Sequence, residues 1–155
     1  MGSVPNYQGS LGTIGNYPEA FDQYVRVYND LGAAVAEGDV YFLDWKRDAD
    51  SLAVAARPTL VACATSAVAR QVVVVTEAIA DKAWGTVQWR GHCKKVAAAS
   101  TTAVDDYLQG VNASAVSGDD GTSQTADSFG IAITDEDTVA GFCEAVLFGT
   151  LATIG

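Results

Sequence analysis

Val72, Val73, Val74 and Val75, flanked by Gln71 and Thr76, restrict this chain more than any other stretch. A helix would freeze four β-branched side chains against its preceding turns, whereas a pleated strand accommodates them. Successive side chains of a strand point to opposite faces, so an unbroken valine run demands apolar cover on both sides. The chain must build layers around this strand. It has the material: 49% of its 155 residues are apolar and 18% charged, a composition that favours a packed interior over disorder. The length suits one domain.

The neighbouring segments read the same way. Residues 24–28 are aromatic and β-branched, and the Asn29-Asp30-Leu31-Gly32 turn ends them. Glu37-Gly38-Asp39 turns into the apolar run 40–45, and residues 46–50 form a charged tip. Residues 52–55 could return antiparallel, with Pro58 closing that strand. Residues 60–70 are rich in alanine and fit a short helix or an irregular strand. Residues 84–94 alternate, placing Val87, Trp89 and Cys93 on a core face and Thr86, Gln88, Arg90, His92 and Lys94 on a wet face. The alternation slips at Lys94-Lys95-Val96, as it would at a β-bulge or at the end of the strand.

Residues 97–104 read as short strand and turn, 107–110 as another short strand, and 117–123 as a loop. Residues 129–133 alternate again, Asp135, Glu136 and Asp137 make an acidic tip, and 141–148 read as the last strand. Eight or more short strands without a βαβ rhythm predict an all-β fold. The expected form is a single small antiparallel β-barrel or β-sandwich with at most one or two short helices.

Residues 1–20 are set apart as an extended N-terminal arm, and 21–155 as the β-rich domain. The arm is rich in glycine, carries Pro5 and Pro18, and shows neither apolar period. Tyr7, Leu11, Ile14 and Tyr17 lie in a stretch too irregular to join a core, so contact with a partner is expected of them. Gly9, Gly12 and Gly15 lack the strand, helix and lysine of a phosphate-binding loop.

The net charge of −10 repels phosphate backbones, which argues against nucleic-acid binding. Lys95 is the last basic residue, so the chain beyond it is strongly acidic. No window approaches the roughly 20 apolar residues of a membrane span. The N-terminus carries no basic stretch followed by an apolar run, so no signal peptide is expected and Asn112-Ala113-Ser114 reads as a chance glycosylation match. Cys63, Cys93 and Cys143 have no metal or disulfide spacing and read as buried thiols in a reducing cell. His92, the one histidine, would have to serve any nucleophile as base; on a strand it faces away from Cys93. No enzyme activity, metal or cofactor is therefore expected. Trp45, Trp84 and Trp89 could form a sugar platform, giving the alternative of a tail or spike component that binds host carbohydrate.

The stretch Gly85-Thr86-Val87-Gln88-Trp89-Arg90-Gly91, a Gly-x-Val-Gln-x-x-Gly strand followed by small residues, resembles tailed-bacteriophage capsid decoration (head cement) proteins. Residues 27–33 and 37–40 resemble that family's opening strand, turn and second strand, and 128–133 and 145–149 its later strands. The likeness spans roughly residues 24–150. It implies a β-tulip-like structural virion protein, made in the host cytoplasm. It would sit on the outer capsid surface, commonly as a homotrimer, and stabilise contacts between major capsid protein subunits. On that reading Tyr7, Leu11, Ile14 and Tyr17 would touch the capsid or a sister subunit.

Overall fold

A computed structural model describes residues 22–46, 57–64, 66–137 and 140–154. Among the described residues there are ten strands: β1 Gln23–Tyr28, β2 Val40–Lys46, β3 Arg57–Val61, β4 Ser66–Val75, β5 Trp84–Ala97, β6 Tyr107–Gln109, β7 Gly118–Asp119, β8 Ser128–Ala132, β9 Phe142–Phe148 and β10 Leu151–Ile154. No helix occurs among the described residues. The expected all-β class holds. The five strands β1, β5, β4, β2 and β3 pair in that order and β3 returns to β1, closing a barrel. All joins are antiparallel except the last, a parallel contact with Tyr28 opposite Thr59.

β5 is 14 residues long and serves two structures. Its first half pairs with β1 and β4 in the barrel, and its second half, from Arg90 to Ala97, pairs with β9. From β9 an outer sheet continues through β8 and β6 to β7. A bridge between Ala98 and Ser117 brings that sheet's far end back beside β5. The register slips between Cys93 and Val96 while pairing continues on both sides, so of the bulge and the strand end left open at Lys94 and Lys95 the bulge is found.

The valine run has the cover it demanded. Val73 and Val75 pack inside the barrel with Val27, Leu60, Ile79 and Val87. Val72 and Val74 point the other way, with Phe42, into a second cluster shared with Leu108, Phe129, Ala145 and Leu147 of the outer sheet. Asn29 seals the turn after β1: its Oδ1 accepts from the Leu31 N–H and its Nδ2 donates to the Ala33 and Ile79 carbonyls. The fully buried amide thus replaces the hydrogen bonds that water would supply.

Several local expectations are corrected. Pro58 does not end a strand; it is the second residue of β3, opposite Trp45. β3 meets β1 at a single residue pair, so a missing N–H costs little there. The strand proposed for 52–55 lies outside the described residues. Of the helix and the irregular strand left open for the alanine-rich stretch, the strand is found: it carries the start of β4, with which β10 pairs, and tertiary pairing overrides helix propensity. Residues 99–105 form turns rather than a further strand, and the loop 117–123 contains β7, held to β6. The strand ending at Phe148 is not the last, since β10 follows after Gly149 turns the chain at φ +72°.

Candidate interaction surface

The outward-facing side chains of β5 and β9 form the most distinctive surface. Arg90 lies opposite Phe148, and His92 opposite Val146, while Val146 also lies opposite Ile131 of β8. His92 Nε2 is 2.8 Å from Glu144 Oε2, so the imidazole is tied to the neighbouring strand. Cys93 faces the other way, buried, with its Sγ 3.4 Å from the Lys95 carbonyl. The histidine and the adjacent thiol are not brought together.

Gly91 joins these pieces. Its φ is +95°, and a Cβ there would lie 2.6 Å from the Asp22 Cα and 2.9 Å from the Asp22 nitrogen. Asp22 can approach so closely only because position 91 lacks a side chain, and its Oδ1 accepts from the His92 N–H at 2.7 Å. Gln88 corrects the alternation read from sequence: it is 2% exposed rather than on a wet face. Its Nε2 donates to the carbonyls of Arg90 and His92, at 3.1 and 3.0 Å. The side chain satisfies backbone acceptors of the same strand that lie just beyond its barrel pairing.

Two cavities flank this corner. A mainly apolar groove of about 680 Å³ is floored by Val146, Leu147, Phe148 and Ile133, with Arg90 and His92 at its edge. A polar cleft of about 450 Å³ lies between Asp22, Glu37, Gln88, Lys94 and Lys95. Lys95 is already engaged there, 3.2 Å from Glu37 Oε2 and above the Phe142 ring. The groove was invisible to the sequence because Ile133 and Val146 meet only through strand pairing.

The acids of the loops act as clamps on neighbouring backbone and hydroxyl groups. Asp135 Oδ1 accepts from the Val104 N–H, Asp106 Oδ2 from the Ala103 N–H, and Asp120 Oδ2 from the Ser128 hydroxyl. Among the described residues no three His, Cys, Asp or Glu side chains are placed to hold a metal ion. No helix among them is long and apolar enough to cross a membrane. Trp84 is exposed and meets the Tyr28 ring edge-on, whereas Trp89 packs against the barrel interior cluster. These two tryptophans therefore share no platform, and the Trp45 side chain lies outside the described ones. Tyr7, Leu11, Ile14 and Tyr17 also lie outside the described residues.

All three thiols are buried, and burial pushes each from an ordinary 9.0 up to about 11. They are neutral thiols near physiological pH, unsuited to nucleophilic attack. Because the folded values exceed the unfolded ones, their contribution to stability is complete below pH 9 and declines as pH rises towards 11. Tyr41, raised by burial, adds in the same direction. The urea midpoint is expected to fall across that window, and a disulfide reagent at neutral pH should label the thiols only after unfolding. Rapid labelling of the native chain would contradict this account.

No protein-family model matches the chain, and no curated protein matches it. A solved structure, the head fiber gp8.5 N base in bacteriophage phi29, is similar over 86% of this chain and 98% of that one, with 11% identity and a TM-score of 0.47.

Proposed function

We propose that this chain is a non-enzymatic structural protein of a tailed-phage virion, seated on the outer face of the head, where it ties major capsid subunits together as a homotrimer. The observation that carries this reading is the Gly-x-Val-Gln-x-x-Gly segment through which the sequence resembles head decoration proteins. Each fixed residue of that pattern has a structural task on β5. Gly85 leaves room for Ile79, whose Cγ1 would lie 2.3 Å from a Cβ. Val87 fills the barrel, Gln88 caps two carbonyls, and Gly91 admits Asp22. The pattern thus describes a strand that joins a barrel to a second sheet, a matter of architecture rather than composition.

A cement protein adds binding free energy across seams of a shell. Three subunits around one axis turn weak contacts into tethered ones, which multiplies affinity without new chemistry. The acidic surface supplies repulsion that keeps decorated particles apart. Purified protein mixed with expanded capsids that lack it should bind at fixed stoichiometry and raise their disruption temperature by several degrees. Sedimentation at micromolar concentration should give the mass of three chains. Failure to bind any such capsid overturns the head-protein reading, and a monomer that still binds overturns only the trimer.

A further inference from the structure

The outer face of the outer sheet is apolar where a face turned to water is ordinarily polar. Tyr107 of β6, Ile131 of β8, Val146 of β9 and His92 of β5 stand opposite one another in a row across it. None of the three apolar members belongs to either core cluster. Val146 and Ile133, on the floor of the groove, are 37% and 41% exposed, and a contiguous apolar surface of this kind marks a place where something binds. Arg90 at the groove's edge forms no ion pair among the described residues, whereas His92 is engaged with Glu144. The groove therefore suits an apolar group with an acid beside it.

The chain presents such a group on a neighbouring turn. Residues 103–106 are closed by the Asp106 N–H, which donates to the Ala103 carbonyl at 3.1 Å and leaves Val104 and Asp105 at the corners. Val104 is 49% exposed, and the acids beside it, Asp105 and Asp135, are exposed as well. The turn is held firmly. Asp106 Oδ2 accepts from the Ala103 N–H and Asp135 Oδ1 from the Val104 N–H, both at 2.8 Å, and the Asp105 N–H donates to the Ala132 carbonyl at 2.9 Å. A knob that is already ordered loses little freedom on docking. Val104 does not line the groove of its own chain, so knob and groove are separate patches.

We propose that the groove of one copy receives the Val104 knob of a second copy, with Val104 against Val146 and Ile133 and with Asp105 beside Arg90. The charges favour this pairing. The chain carries a net charge of −10, so two copies repel unless a contact sets acid against base, as this one does. Groove against groove would match one cationic edge with another and leave both knobs in water. Each copy gives one patch and receives one, a heterologous contact that generates a ring when its rotation closes. The trimer of the proposed function is the three-membered case, and the inference rests on that part of the reading.

The test is sedimentation of full-length variants. Val146→Lys disables the groove and Val104→Lys the knob, and each should sediment as a monomer at concentrations where the unaltered chain is a trimer. Both positions are exposed, so the circular dichroism of the unaltered chain should persist; serine at the same position replaces either lysine variant that loses it. Val146→Lys keeps its knob and Val104→Lys its groove, so an equimolar mixture at about 100 micromolar, concentrated to offset the lost ring closure, should give a species of two chains and none of three. Arg90→Glu, which sets like charge against Asp105, should weaken assembly at least about tenfold. A trimer formed by either single variant, a mixture without the two-chain species, or assembly unchanged by Arg90→Glu would overturn this interface and leave the trimer standing. A monomeric unaltered chain would remove the trimer and the interface together.

Discussion

Gly91→Ala is expected to destabilise the fold by about 3 to 5 kcal/mol, far more than a methyl group normally costs on a strand. Holding alanine at φ +95° contributes about 1 to 3 kcal/mol. The remainder comes from Asp22, whose backbone stands where the new Cβ must go and whose carboxylate would lose the His92 N–H. A charge-assisted hydrogen bond of this kind is worth about 1.5 to 3 kcal/mol. Gly32→Ala provides the control, because Gly32 has φ +85° but nothing within 4 Å of a Cβ. It should show the backbone term alone. Urea unfolding of both variants measures the difference. Equal losses would mean that the approach of Asp22 contributes nothing.

Phe42→Ala should cost about 3 to 5 kcal/mol, the usual range for emptying a buried phenylalanine site. The ring is 2% exposed and lies in the cluster between barrel and outer sheet, with Val72, Leu108, Phe129 and Leu147 as fellow members. The loss should be uneven. Barrel residues keep their separate cluster around Val73 and Val87, so amide exchange should quicken first in β6, β8 and β9. Uniform acceleration across all strands would show that the two clusters unfold as one.

The all-β class was legible where side chains declare both faces at once, while the choice between barrel and sandwich waited on the pairings that close the sheet. The valine run specified a strand covered on two sides, whereas the lysine pair left a bulge or a strand end open until the β9 pairing decided for the bulge. Gln88 was misread because alternation assigns a face but not a hydrogen-bond partner, and its acceptors lie on its own strand past the end of the barrel pairing. β7 and β10 escaped notice because two- and four-residue strands are made by their neighbours rather than by their own residues. The interaction surface was legible only in its parts. His92, Ile133 and Val146 each stood out as strand residues, but the register that gathers them depends on pairings between strands distant in sequence, His92 with Val146 and Val146 with Ile131.

The sharing of β5 between barrel and outer sheet has a mechanical consequence. A pull that separates the two halves along this strand travels through covalent backbone, from the β9 pairing at one end to the β1 and β4 pairings at the other. The flanking hydrogen bonds are then loaded in shear, many at once, instead of opening one by one like a zipper. The molecule is built as a single stave gripped at both ends, and rupture along that axis requires a whole ladder to yield together.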